Sequence, residues 1–126
     1  MKKLFKALIC ISLFALLFCP TAFAAEPRWS NVLSITPDIT SSGYSVAVEC
    51  TQDTTQIKCT MILYEKGLFG SYTEVSRTSD TSSTSRHRFS GSANIAKGKT
   101  YKLAVTLNVT ASGSTETVTD EFERKF

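Results

Sequence analysis

Residues 44–51 alternate with period two: Tyr44, Val46, Val48 and Cys50 fall on one parity, and Ser45, Ala47, Glu49 and Thr51 on the other. Side chains on a strand point alternately to its two faces, so this run predicts a strand with one face in a core and one in water. After the polar loop Gln52 to Gln56, the pattern resumes with Ile57, Cys59, Met61 and Leu63 inward and Lys58, Thr60 and Tyr64 outward. The longest run places Tyr101, Leu103, Val105, Leu107 and Val109 against Lys102, Thr106, Asn108 and Thr110, and it follows a turn at Ala96 to Lys99. Ser112-Gly113-Ser114 predicts another turn, with Val118, Phe122 and Phe126 marking a last strand that returns as a hairpin.

Between these runs the alternation is weaker. An early strand around Trp29 to Ile35 presents Trp29, Leu33 and Ile35 on one parity, and Pro37 marks an edge or a stop. A turn at Gly67 to Gly70 leads into a strand from Tyr72 to Thr78. The Ser/Thr tract Thr78 to Ser85 reads as a loop, followed by a strand from His87 to Ile95. The fold class expected is all-β: a Greek-key β-sandwich of about seven strands.

The amino end has a different pattern. Lys2, Lys3 and Lys6 precede an apolar run from Ala7 to Phe18, followed by Pro20 and the small-residue pattern Ala22-Phe23-Ala24. This is the form of a helical secretory signal peptide, with cleavage after Ala24 and a single domain over residues 25–126. The apolar run is shorter than the ~20 residues a spanning helix needs, so a membrane anchor is disfavoured. Bulky Phe18 before Cys19 argues against a lipoprotein.

Removing that leader changes two counts. The formal charge of +3 includes three leader lysines, so residues 25–126 are formally neutral. Without a net basic field, nucleic-acid binding and membrane-surface binding lose their main driving force. Of the four cysteines, Cys10 and Cys19 leave with the leader, and Cys50 and Cys59 remain. In an exported domain a disulfide between them is expected, since they have neither C-x-x-C spacing nor the partners of a zinc site. Two arrangements satisfy it. In a hairpin, Val48 would face Met61 and Val46 would face Leu63; in facing sheets joined by a corner, the sulfurs would bridge the core.

The turn Gly98-Lys99 followed by Tyr101-Lys102-Leu103-Ala104-Val105 resembles the sixth strand of immunoglobulin-like and fibronectin type III domains. The resemblance implies a structural tyrosine corner, in which the Tyr101 hydroxyl hydrogen-bonds backbone in the turn holding Ala96 and Lys97. No cysteine stands two residues after Tyr101 and no tryptophan lies in Ile57 to Tyr64, so a true immunoglobulin domain is not implied. Pro27-Arg28-Trp29, the segment Lys66-Gly67 to Gly70-Ser71-Tyr72, and Gly98 to Leu103 are together similar to small secreted proteins of unknown function from clostridial, gut-type Gram-positive bacteria. That resemblance implies no activity.

Candidate chemistry is sparse. The single histidine, His87, lies between Arg86 and Arg88 and shares a parity with Phe89, and no serine sits in a G-x-S-x-G setting. Asp120, Glu121 and Glu123 alternate over both faces of one strand, which suits a solvated strand that resists edge pairing better than a glycosidase pair. Asp38 and Asp53 are isolated, with no calcium-loop pattern, and no phosphate-binding glycine loop is present. We therefore expect no enzyme, no catalytic residue, no metal and no cofactor.

Recognition through a surface remains. Leu68 and Phe69 stand in a turn flanked by Lys66 and Tyr72, making Leu68, Phe69 and Tyr72 the candidate partner contacts, although a turn that folds back and buries Phe69 on the sandwich is the favoured reading. Trp29 is read as core rather than as a carbohydrate platform. The function expected is a secreted binding or adhesion module for a protein or glycan. The alternative is a structural protein that self-associates through edge strands, with a small secreted hydrolase a distant third.

Overall fold

The structure is a computed structural model that describes residues 29–126; the expected leader and cleavage site, with Cys10 and Cys19, lie outside the described residues. Seven strands follow in order: β1 (Val32–Thr40), β2 (Gly43–Cys50), β3 (Thr54–Lys66), β4 (Tyr72–Ser82), β5 (Arg86–Ser92), β6 (Thr100–Ala111) and β7 (Ser114–Lys125). They form two antiparallel sheets, a three-stranded one in the order β1-β2-β5 and a four-stranded one in the order β4-β3-β6-β7. The fold is a β-sandwich, and no helix among the described residues is long and apolar enough to cross a membrane.

Alternation decides the core. On β6, every second residue from Tyr101 to Ala111 is buried, and Leu103, Val105, Leu107 and Val109 pair with Leu63, Met61, Cys59 and Ile57 on β3, all buried as well. Val46, Val48 and Tyr44 of β2 and Phe89 of β5 close the core from the other sheet. Trp29 is half-buried and packs against the margin of this cluster.

Three local expectations need correction. First, β1 does not hold Trp29, Leu33 and Ile35 on one face. A bulge between Val32 and Ser34 throws Leu33 outward, where it is exposed while Val32 is buried. A bulged residue has no partner across the ladder, so parity is lost there. The strand also runs through Pro37, which it tolerates because β1 is the edge of its sheet.

Second, most of the Ser/Thr tract is strand, with Thr78 to Ser82 pairing with Met61 to Ile57. Its inward positions are hydroxyls instead of hydrocarbon: Ser76 and Thr78 both meet the Tyr44 hydroxyl from the opposite sheet, at 2.8 and 2.7 Å, and Ser76 also donates to the Ser92 carbonyl. Tyr44 reaches across because Gly91 lies beneath its ring, where a Cβ would collide with the phenol.

Third, the expected Cys50–Cys59 disulfide is not formed, and of the two arrangements open for that pair the strands adopt the facing sheets and not the hairpin. Val48 pairs with Ile35 and His87, while Met61 pairs with Thr78 and Val105, so the register that would set Val48 against Met61 is absent. Cys50 and Cys59 sit in different sheets, and both are free, buried thiols, not the expected disulfide.

Candidate functional site

The strands deliver their turns to two ends. One end carries the β1–β2, β3–β4 and β5–β6 connections with Phe126, and the other carries Trp29 to Asn31 with the β2–β3, β4–β5 and β6–β7 turns. The candidate contact residues belong to the first.

There the Gly70 N–H donates to the Gly67 carbonyl at 3.1 Å, and the Gly67 N–H donates to the Ser71 carbonyl at 2.7 Å. Leu68 and Phe69 occupy the central positions of this turn, and Gly70 follows with φ +83°. Neither central residue has a positive φ, so only Gly70 needs glycine's freedom. Nothing in the turn's geometry calls for hydrocarbon at positions 68 and 69, where Pro, Asp, Asn and Ser are the usual occupants. Leu68 is 101% and Phe69 99% exposed, so the expected burial of Phe69 does not occur: the turn points outward and its two side chains cover nothing.

The structure separates Tyr72 from these two. Its ring receives the Lys102 ammonium at 4.2 Å, the same ammonium lies 5.4 Å from the Tyr64 ring, and its hydroxyl donates to Glu123 Oε2 at 2.8 Å. The Glu123 hydrogen bond raises the Tyr72 pKa above its usual value. Tyr72 is thus a fixed part of the tip's base and not a free contact.

Beside the tip, a shallow depression is lined by Glu65, Lys66, Leu68, Lys99, Thr100 and Lys125. Lys99 Nζ bonds Glu65 Oε1 at 2.6 Å, and this bond, with help from the Tyr101 hydroxyl, holds the Glu65 carboxyl below the usual carboxylate range. Among the described residues Lys66, Lys97 and Lys125 form no ion pair. The Tyr101 hydroxyl accepts from the Ala96 N–H at 2.8 Å and donates to Glu65 Oε2 at 3.2 Å, while its ring packs edge-on to Phe126. Tyr101 is fully buried, and it ties the β5–β6 connection down beside the tip.

The other sequence candidates offer little chemistry. His87 is exposed and lies edge-to-face on Phe89 at a centroid distance of 4.6 Å. Burial, followed by the nearby Asp80 charge, pushes the Cys59 thiol up to about 12. Burial, followed by Glu116, raises Cys50. Thiols held this way are poor nucleophiles near neutrality. Among the described residues no cluster of three or more His, Cys, Asp or Glu is placed to hold a metal ion, and no buried side-chain polar atom lacks a hydrogen-bond partner.

Sequence reading missed Glu116, whose carboxylate accepts from the backbone N–H groups of Ser30 and Asn31 at 2.9 to 3.1 Å and pins the segment before β1 to β7. The contact spans the two sheets, so no local pattern announces it.

No family model and no curated protein matches this sequence. Among solved structures, the solution structure of AT1g01470 from Arabidopsis thaliana is similar over 76% of this chain and 80% of its own, with 10% identity and a TM-score of 0.39.

Proposed function

We propose that this chain is an exported, non-enzymatic binding module whose contact surface is the Gly67 to Gly70 tip. The observation that carries the reading is the full exposure of Leu68 and Phe69 at turn positions where the fold has no use for them. Apolar groups held in water by a projecting hairpin are stabilised by whatever covers them. Within this reading the sandwich is of immunoglobulin-like or fibronectin type III-like kind, supported by the strand order and by the Tyr101 to Ala96 hydrogen bond. The fourth strand lies beside the third instead of joining the first, second and fifth, which departs from the immunoglobulin constant-type division and favours the fibronectin type III-like variant.

Self-association through an edge strand is less well supported. Of the four edge strands β1, β4, β5 and β7, the last carries Asp120, Glu121, Glu123, Arg124 and Lys125, a charge density that opposes pairing with a second sheet.

The test is capture of extracellular proteins, glycans and envelope material on immobilised residues 25–126, alongside Phe69→Ser. Because Phe69 touches nothing, that variant should keep the wild-type melting temperature and its unfolding free energy to within about 0.5 kcal/mol. Capture of a saturable partner by the parent and its loss in the variant is the expected result. Equal capture by both proteins removes the tip from the function.

A further inference from the structure

We infer that the tip is a membrane-docking element: Leu68 and Phe69 enter the interface of a bilayer bearing anionic phospholipid, and Lys66 and Lys125 at its base meet the headgroups. The inference rests on the reading of the tip as the contact surface and names its partner.

The domain's charge is balanced overall but not in space. At the tip end, Lys66, Lys97, Lys99 and Lys125 are exposed, and the depression beside Leu68 holds three lysines and one glutamate. At the far end, the β2–β3, β4–β5 and β6–β7 turns contain Asp53 and no Lys or Arg, Glu116 stands near the start of β7, and Arg86, which begins β5, is paired with Glu49. Formal neutrality therefore conceals an end-to-end asymmetry that would turn the tip toward an anionic surface.

The arrangement by depth fits the same partner. The two apolar side chains stand outermost. The lysines follow at the strand ends, where long stems let an ammonium stay in water while the chain beside it enters an apolar layer. Tyr72 stands level with Lys66, its cross-strand partner, and Tyr64 lies behind it, both amphipathic rings of the kind enriched where hydrocarbon meets headgroups.

A protein partner fits less well, because a stable protein interface engages roughly 20 to 30 residues a side, and this tip presents two unsupported side chains on a hairpin. A bilayer needs no shape complementarity and accepts a small convex insertion. The insertion is too shallow to anchor alone, and joining it to a basic ring supplies the second of the two signals that stable membrane attachment requires.

The sequence provides a spectroscopic control. The chain has one tryptophan, Trp29, at the end opposite the tip. Residues 25–126 and a Phe69→Trp variant would be titrated with vesicles of phosphatidylcholine alone, and with vesicles containing roughly 30% phosphatidylglycerol.

On the anionic vesicles, the Phe69→Trp emission should shift to the blue while the parent's Trp29 emission stays fixed. Sedimentation with these vesicles should fall roughly tenfold or more in Phe69→Ser and in Lys66→Glu/Lys125→Glu, and should weaken as salt is raised. Absence of vesicle binding, together with Phe69-dependent capture of a protein or glycan, overturns the membrane inference and leaves recognition by the tip standing. Absence of any Phe69-dependent binding overturns both. Vesicle binding that survives Phe69→Ser also overturns the inference, since it needs the charges alone.

Discussion

Each end of this sandwich presents a short hairpin turn, and the two ends use it differently. At the far end, β6 and β7 are joined by Ser112 and Gly113, with φ +51° and +78°, the pair of left-handed residues that a tight hairpin of this hand requires. The Ser112 side chain is then held by Asp53 Oδ2 at 2.6 Å, Glu116 secures Ser30 and Asn31, and the Thr51 N–H bonds the Asn31 carbonyl. Each of these turns is tied to another. At the near end, the β5–β6 connection is tied by Tyr101, by Lys99 to Glu65, and by the hydrogen bonds between Gly98, Lys99 and Phe126. The β3–β4 tip is held only by its own backbone. A turn whose side chains are all used belongs to folding, whereas one whose side chains are all idle is available for something outside the molecule.

That contrast can be broken experimentally. The largest effect should come from Tyr101→Phe, which keeps the buried ring but leaves the Ala96 N–H without its acceptor and Glu65 without one donor. We expect a loss of about 1 to 3 kcal/mol in denaturant unfolding, and an unchanged value would mean that the β5–β6 connection is not held as described.

Next comes Glu116→Ala, which frees the two backbone donors at the far end. Their exposure to water limits the cost to about 1 kcal/mol, with faster amide exchange expected at Ser30 and Asn31. Slow exchange in the variant would show that this end is fixed by other contacts.

The smallest effect concerns pH. Glu65 is held below its usual range chiefly by the Lys99 hydrogen bond. A carboxyl more acidic in the folded state adds stability that is fully present above its unfolded pKa of about 4.3 and is lost as pH falls through the folded pKa. Glu65→Gln should therefore lower the melting temperature slightly at neutrality and flatten the acid limb of the profile by the same small amount. An identical acid limb in both proteins would dissociate Glu65 from the near-end closure.

Much of this fold is legible in the residues themselves. The buried hydrocarbon of β2, β3 and β6 follows period two over Tyr44 to Cys50, Ile57 to Leu63 and Tyr101 to Ala111, because these stretches have hydrocarbon on one side and mostly polar groups on the other. Legibility fails where the core is not lined with hydrocarbon. β4 faces inward with Ser76, Thr78 and Ser82, and hydroxyls paired to a tyrosine from the other sheet give the same local composition as a loop. It fails again at the bulge in β1, where one additional residue shifts Leu33 out of phase, and in the pairing of β2, where matching parity fits either a hairpin or facing sheets.

The candidate site was half visible. Leu68 and Phe69 stand out by composition, but whether a turn curls inward or projects is set by the Gly67 to Ser71 backbone bonds, which sequence does not display. The asymmetry of the lysines was concealed by a net charge of zero.

The hydroxyl-lined margin between β4 and β5 has a dynamic consequence. Along most of the sandwich, parting the sheets would put hydrocarbon in contact with water, but here the groups uncovered are Ser76, Thr78 and the phenol tip of Tyr44, all of which water can satisfy. This seam is where opening costs least, so it is the natural entry point for solvent into the fold. Its upper part is the beginning of β4, the strand that carries the tip. The projecting hairpin is therefore mounted beside the most readily parted margin of the sandwich, which lets it give under load while the β3–β6–β7 wall stays closed.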